Sequence, residues 1–280
     1  MAGNEKLGYF LGGGGYSGAT SIGYLLAAHE LGFKPDCVKG VSVGAIIGAG
    51  FIESDCDPNP VKEIFTGLIE KAGARSIFNF RNPKVLWRFI SGASHLLDND
   101  RLLGLVNGLN MDKIIASKRR FEVSTYNASF KGSEIFTNHE ERVRRDPEIL
   151  RKAILASASL PGFFCPVQIN GQLYSDGLEI SVKSLIDFGC SKVFIFVNDP
   201  KEHKTCKRVS WFIQMRGMTH QLNDIKIESE HARYGDKIVI FRLQHGVDGL
   251  SRTRFKKGDI TRAIELGYEK GLEILKKVLK

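Results

Sequence analysis

Cysteine is scarce and scattered in this sequence of 280 residues. Its five cysteines are an odd number, and no two of them form a C-x-x-C pair. Small secreted domains that depend on disulfides have dense cysteines in even number, so the pattern argues against a disulfide framework. We expect a reducing compartment, in which the thiols pack as small core residues. The cysteines are Cys37, Cys56, Cys165, Cys190 and Cys206.

Long hydrophobic runs are also missing. No apolar run approaches the ~18 residues that a membrane-spanning helix requires. The N-terminal residues carry one lysine, Lys6, before a short apolar run that leads directly into glycines, which is not the layout of a signal peptide. We therefore expect a cytoplasmic protein, and we expect any contact with a membrane to be peripheral.

The composition is that of a folded protein with a sizeable core, at 42% hydrophobic and 25% charged residues. No repeat, linker or break in composition divides the chain, so we expect one domain over residues 1–280. The formal net charge is +9, which favours an anionic partner or belongs to an ordinary basic surface. Basic clusters at 117–120 and 252–257 lie in no recognisable nucleic-acid-binding module, so we expect no nucleic-acid partner.

Two segments, residues 74–97 and 206–224, interleave aromatic and basic side chains. Aromatic faces with basic flanks suit the interface of an anionic membrane. The alternative is that the aromatic stripe packs on the core. We treat 74–97 as a candidate lid or interfacial segment of a single catalytic domain. Its interleaved members are Arg75, Phe78, Phe80, Arg81, Lys84, Trp87, Arg88 and Phe89.

The first 53 residues predict alternating strands and helices. Residues 7–11 are a short apolar run that predicts a buried strand, and residues 18–31 have helical spacing and end at Gly32. Residues 36–42 and 43–53 predict a second strand and a second helix. This β-α-β-α order indicates an α/β fold with a mostly parallel sheet covered on both faces. Later segments predict a strand pair over 120–138, a helix over 146–159, a helix over 179–188, strands over 192–198 and 237–243, and a helix over 257–280.

Four consecutive glycines, Gly12 to Gly15, separate the first strand from the first helix. The spacing of Gly13, Gly15 and Gly18 matches the dinucleotide fingerprint G-x-G-x-x-G. That fingerprint also requires an acidic residue at the end of the second strand, and this chain has none there. A dinucleotide-binding α/β protein is nevertheless one alternative for the glycine loop.

The second strand ends instead in Gly40-Val41-Ser42-Val43-Gly44, a G-x-S-x-G motif between a strand and a helix. A sharp turn of this kind holds the serine in a strained conformation, and flanking glycines let neighbouring backbone approach. The hydroxyl then projects at the positive end of the following helix, which favours developing negative charge. Ser42 is therefore a candidate nucleophile.

A serine nucleophile needs an oxyanion hole and a base. The peptide N–H groups of Gly13, Gly14 and Gly15 could converge on an acyl oxygen. None of the seven histidines lies in a motif typical of a catalytic triad or of a metal site. The best-placed carboxylate is that of Asp176, in an Asp176-Gly177 turn that follows a compact loop rich in proline, glycine and aromatic residues.

Together, residues 10–51 and 153–178 resemble the patatin-like phospholipase family. The resemblance implies a three-layer α/β/α sandwich, hydrolysis of lipid acyl esters by a Ser–Asp dyad without histidine, and no metal or organic cofactor. Carried onto this chain, it makes Ser42 the nucleophile, Asp176 its base, and Gly13, Gly14 and Gly15 the oxyanion hole. Gly18, Gly40, Gly44 and Gly177 are the motif positions that support them.

The chain departs from the family pattern at two positions. The family usually has arginine or lysine before the last glycine of the loop, where this chain has Ser17. It usually has a small residue after Asp-Gly, where this chain has Leu178. A further alternative to an active hydrolase is a membrane-associating scaffold that has lost catalysis.

Overall fold

The structure is a computed structural model that describes residues 5–177, 180–201, 211–248 and 250–280. Its strands are β1 Lys6–Leu11, β2 Cys37–Val41, β3 His95–Leu97, β4 Arg120–Asn127, β5 Gly132–Thr137, β6 Gly162–Phe164, β7 Val167–Ile169, β8 Gln172–Asp176, β9 Cys190–Phe196 and β10 Ile238–Phe241. Its α-helices are α1 Ala19–Glu30, α2 Val43–Glu53, α3 Asn59–Glu63, α4 Pro83–Ile90, α5 Asp100–Asn107, α6 Met111–Ala116, α7 Glu141–Arg145, α8 Pro147–Ser157, α9 Lys183–Asp187, α10 Trp211–Tyr234 and α11 Asp259–Val278. A π-helical turn, Ile64–Glu70, continues α3.

The central sheet has the strand order β10-β9-β1-β2-β4-β8-β7, and β5 also pairs with β4. The five strands from β10 to β4 are mutually parallel. The strands β5, β8 and β7 are added to this parallel set by antiparallel pairing. The mostly parallel sheet predicted from the β-α-β-α opening is confirmed.

The sheet is buried on both faces, which is why β1 from Leu7, β9 from Val193 and all of β10 are continuous apolar runs. On β1, Tyr9 and Leu11 face a core that includes residues of α1, α2, α8 and α11, whereas Phe10 faces the opposite core. That second core includes Leu185 of α9 and Ile227 of α10. Helices therefore cover both faces, and the three-layer α/β/α sandwich is confirmed.

Local capping accounts for the start of α8, the helix predicted over 146–159. The side chain of Asp146 accepts a hydrogen bond from the Glu148 amide at 3.1 Å, and Pro147 occupies the first helical position. Both features are typical of a helix N-terminus, since the cap satisfies an amide that the helix leaves free and proline has no amide to satisfy.

The helix predicted over 179–188 is wrong in its extent, because α9 spans only Lys183–Asp187. Side chains from other elements bind the backbone just before it. Lys39 donates from Nζ to the Ser181 carbonyl at 2.9 Å, and the Val182 amide donates to Glu230 Oε2 at 2.8 Å. Val182 is the N-cap of α9, and Glu230 satisfies the amide that the start of a helix leaves without an intrahelical partner.

The compact loop predicted before Asp176 is also wrong, because the chain there forms β6, β7 and β8. Asn170 and Gly171, with φ of 48° and 81°, form the tight turn between β7 and β8. An Asn-Gly pair between two short alternating runs is a strong hairpin signal, and it is present in the sequence. Asp176 therefore ends a strand and is not part of a free turn.

Candidate active site

Ser42 lies in a strained turn between β2 and α2, with φ 58° and ψ −130°. A non-glycine residue with this backbone conformation persists only where its surroundings hold it. Glycine is required two residues before and two residues after Ser42. A Cβ on Gly40 would lie 2.5 Å from Ala45 Cα, and a Cβ on Gly44 would lie 2.1 Å from the Leu11 carbonyl oxygen. The strand and helix can therefore approach closely enough to form the sharp turn that the motif predicts.

Two hydrogen bonds through the Ser157 hydroxyl hold this turn in place. The Ser42 amide donates to Ser157 Oγ at 2.9 Å, and the Ser157 hydroxyl donates to the Ser124 carbonyl at 2.7 Å. Ser157 is fully buried at the end of α8, and Ser124 belongs to β4. The backbone of Ser42 is thus attached to both a helix and the sheet.

The glycine loop lies directly against Ser42. A Cβ on Gly13 would be 3.1 Å from Ser42 Cβ and 3.7 Å from Ser42 Oγ, so a side chain at this position would crowd the hydroxyl. Gly14 and Gly15 have φ of 144° and 55°, which side-chain-bearing residues rarely adopt. This close approach explains why the loop carries no side chains.

Asn198 orients the peptide groups of this loop. Its Nδ2 donates to the Gly12 carbonyl at 2.8 Å and to the Gly13 carbonyl at 3.2 Å. Its Oδ1 accepts from the Ser21 amide at 3.1 Å and from the Ser21 hydroxyl at 2.7 Å. In a trans peptide the N–H points opposite to the C=O, so the Gly13 and Gly14 amides point away from Asn198.

Among the residues that the structure describes, none accepts a hydrogen bond from the Gly13 or Gly14 amide. Two amides that are oriented but unused beside a serine hydroxyl are the arrangement that an oxyanion hole requires. Gly15 belongs to the same loop and lines the same cavity.

Strand register brings Asp176 to Ser42. β2 runs parallel along one edge of β4 and ends at Val41, opposite Ser124. β8 runs antiparallel along the same edge and ends at Asp176, opposite Thr125. The two strands must share that edge because β5 occupies the other edge of β4 along its length. The ends of β2 and β8 therefore meet, and Ser42 and Asp176 both lie at the junction.

Asp176 is buried, and its own amide donates to the Ser159 carbonyl at 3.0 Å. Gly177 follows in a confined position, where a Cβ would lie 2.8 Å from the Ser124 carbonyl oxygen. This glycine lets the chain pass the end of β4 immediately after the carboxylate.

Ser42, Asp176 and the residues from Gly12 to Gly15 line one cavity. None of the described residues that line it is a histidine. Most of the remaining wall is apolar and comes from the π-helical turn, from α5 and from the segments around Phe78 and Phe164. The apolar members include Ile64, Phe65, Ile69, Leu102, Leu105, Leu109, Leu160 and Phe164. A polar corner inside an apolar wall suits a ligand with one reactive polar group on a hydrocarbon chain.

Ser17 and Leu178 are the two positions at which the chain departs from the family pattern, and the structure describes only the first. Ser17 stands at the position where the family usually has a basic residue, and its amide donates to the Gly14 carbonyl at 3.1 Å. Arg252, from a distant segment, lines the cavity and forms an ion pair with Asp199 at 2.5 Å. Leu178 lies outside the described residues. Gly18 is a packing position, because a Cβ there would lie 2.8 Å from Val43 Cγ1.

Sequence reasoning missed Ser157, Asn198 and Arg252. A signal for Asn198 was available, because it follows a buried strand, β9, that is parallel to β1. The carboxyl ends of neighbouring parallel strands lie at the same edge of a sheet, so a polar residue there lies near the glycine loop. Ser157 and Arg252 have no comparable local signal.

Comparisons with known proteins agree with this geometry. A family model described as patatin-like phospholipase matches residues 9–178. Among curated relatives, lysophospholipase NTE1 of Phaeosphaeria nodorum is 29% identical over 178 residues, covering 62% of this chain and 10% of that protein. Neuropathy target esterase sws of Drosophila melanogaster is 51% identical over 49 residues, covering 18% of this chain and 3% of that protein.

The chain thus spans about a tenth or less of the length of these relatives. Among solved structures, VipD from Legionella pneumophila superposes with a TM-score of 0.54 at 13% identity, covering 98% of this chain and 67% of that one. At this identity the likeness bears on the fold alone.

Proposed function

Because the chain belongs to the patatin-like phospholipase family, we propose that it hydrolyses fatty-acyl esters of phospholipids or lysophospholipids. The observation that carries the proposal is the strained serine beside two unused glycine amides, in one cavity with a buried aspartate. The names of the matched relatives, a lysophospholipase and an esterase, support the same class of substrate.

In the proposed reaction, Ser42 Oγ attacks the acyl carbonyl carbon while its proton passes to the carboxylate of Asp176. The carbonyl oxygen becomes an oxyanion that accepts hydrogen bonds from the glycine-loop amides of Gly13, Gly14 and Gly15. When the intermediate collapses, the alcohol leaves and takes the proton from Asp176. The product of this half-reaction is an acyl ester on Ser42.

Water completes the cycle. Asp176 accepts a proton from the attacking water, the glycine amides again stabilise the oxyanion, and the serine oxygen leaves with that proton. The fatty acid is released and both side chains return to their starting state. No histidine, metal or organic cofactor is required for these steps.

An aspartate is ordinarily a weak acceptor for a serine proton, since its usual pKa is about 3.9. Removal of a carboxylate from water makes it a better acceptor, and Asp176 is buried. The positive end of α2 at Ser42 and the glycine amides favour the negative charge that appears during attack. Burial of the base and these backbone dipoles together support a dyad mechanism.

The test replaces Ser42 with alanine and, separately, Asp176 with asparagine. We expect each change to lower the release of fatty acid from lysophosphatidylcholine, and of p-nitrophenol from an acyl ester, by several orders of magnitude, as removal of a nucleophile does. Asp187→Asn, at an exposed site on α9, is the control and should retain activity.

A fluorophosphonate probe provides an independent measurement, because it reacts covalently with an activated serine. Mass spectrometry should locate the adduct on Ser42 in the wild-type protein. Turnover that survives both substitutions, or an adduct on another serine, would contradict the assignment. Complete absence of esterase activity in the folded wild type would favour the catalytically inactive scaffold.

A further inference from the structure

We propose that α4 is a membrane-docking surface and that its occupant is a bilayer that contains anionic phospholipid. The inference rests on the proposed function only in that the bilayer would supply the substrate. Its evidence comes from a different part of the molecule, the segment before β3.

The outer face of α4 is apolar and exposed. Leu86, Trp87, Phe89 and Ile90 have 65%, 70%, 68% and 69% of their surface exposed. At 100° per residue they cover an arc of about 160° on one side of the helix. A contiguous apolar patch of this kind is uncommon on the surface of a protein that has no partner for it.

The helix is held in this orientation by its other side. Asn82 caps it by accepting a hydrogen bond from the Lys84 amide at 3.1 Å, and Val85 packs against the main core. Arg88 donates to Asp98 at 2.6 Å and to the Leu96 carbonyl at 3.4 Å. The exposed face is therefore presented by an anchored helix.

A path of aromatic rings leads from the start of α4 to the cavity. The ring of Phe80 lies 5.9 Å from that of Phe163 and 6.2 Å from that of Phe78. Phe78 in turn lies 5.5 Å from Phe164, and both of these rings line the cavity with Ser42. An acyl chain that leaves a bilayer beneath α4 would therefore remain in contact with apolar surface on its way to the serine.

The charge of this segment selects the partner. Residues 71–97 contain no aspartate or glutamate and five basic residues. Arg88 is paired with Asp98, and the other four, Lys71, Arg75, Arg81 and Lys84, are exposed. An amphipathic helix with basic flanks binds in the headgroup region of anionic membranes. A second copy of this chain fits poorly, because a symmetric interface would bring two such basic segments together.

The experiment measures binding to vesicles in a Ser42→Ala background, so that lipid hydrolysis does not contribute. The chain has two tryptophans, and Trp211→Phe leaves Trp87 as the only tryptophan reporter. With vesicles of phosphatidylcholine and phosphatidylserine, we expect the Trp87 emission to shift to shorter wavelength and to be quenched by brominated acyl chains. Binding to vesicles of phosphatidylcholine alone should be at least tenfold weaker, since each basic residue near an anionic surface strengthens binding by roughly fivefold.

The decisive variant is Leu86→Ser with Phe89→Ser. Loss of two large apolar side chains from the interface should weaken binding to mixed vesicles by roughly 100-fold. Phe130→Ser removes an equally exposed aromatic ring from the turn between β4 and β5 and should leave binding unchanged. With Ser42 restored, hydrolysis of a water-soluble p-nitrophenyl ester by the double variant should equal that of the wild type.

Three results would overturn the inference. One is vesicle binding that the double variant leaves intact, and another is equal binding to neutral and anionic vesicles. The third is a concentration-dependent dimer in size-exclusion chromatography that the double variant abolishes, which would assign the surface to a second copy. Failure of the proposed hydrolase activity is distinguishable from all three, because the binding measurements use a protein without the nucleophile.

Discussion

The most informative perturbation of the glycine loop is Asn198→Asp. The substitution preserves shape but replaces the Nδ2 donor, which bonds the Gly12 carbonyl at 2.8 Å and the Gly13 carbonyl at 3.2 Å. A carboxylate oxygen in that place faces two carbonyl oxygens and repels both. The peptide groups must then turn, and the Gly13 and Gly14 amides turn with them.

The size of the effect follows from those two amides. Removal of a single oxyanion donor lowers kcat by roughly 10² to 10³. Because both amides lose their orientation, we expect kcat for a soluble acyl ester to fall by roughly 10³-fold or more. KM should change little, because Asn198 lies near the reacting end of the cavity. The apolar residues proposed to hold the acyl chain are unchanged. Two buried carbonyls without a donor should also lower the free energy of unfolding by roughly 2 to 6 kcal/mol.

A matched control separates catalysis from stability. Asn127 is also a buried asparagine, and its Nδ2 donates to Glu134 and Gln172 at a distance from the glycine loop. Asn127→Asp should lower Tm, because it places a carboxylate beside that of Glu134, while kcat of the folded fraction stays unchanged. If Asn198→Asp retains kcat within threefold of the wild type, the loop does not owe its orientation to Asn198.

Two further predictions concern buried hydroxyl and thiol groups. Ser157→Ala removes the hydroxyl that accepts from the Ser42 amide and donates to the Ser124 carbonyl. We expect roughly tenfold slower fluorophosphonate labelling at unchanged KM and a lower Tm, since both backbone groups lose their partner. Labelling at the wild-type rate would show that Ser157 does not position Ser42. Burial raises the pKa of the Cys190 thiol to about 11, so iodoacetamide at pH 8 should alkylate the partly exposed Cys165 before Cys190, as peptide mass spectrometry would reveal. Preferential alkylation of Cys190 would contradict its burial.

The membrane hypothesis for residues 74–97 left open whether the aromatic stripe packs on the core or faces outward. In the structure, one part of the stripe packs inward and another part faces outward. Phe78 lines the cavity, whereas Trp87 and Phe89 are exposed on α4. Local spacing predicts neither outcome, because the same residue types satisfy both environments. No helix among the described residues has the length and hydrophobicity to cross a bilayer.

The sequence by itself determined the features that depend on neighbours along the chain. A short apolar run that ends in glycine encodes β1. The glycines around Ser42 encode a turn that only a residue without Cβ permits on either side. Asp146 and Pro147 start α8 by satisfying or omitting amides in its first turn. Each of these follows from sterics or hydrogen bonding within a few residues.

Only the tertiary structure determined which residues distant in sequence come together. β2 and β8 end at adjacent positions on one edge of β4, and that register brings Asp176 to Ser42 across more than a hundred residues of chain. It also decided that Asn198 orients the glycine amides and that α9 begins at Lys183. The physical reason is that strand register and buried side-chain hydrogen bonds depend on partners distant in sequence, about which the local pattern holds no information.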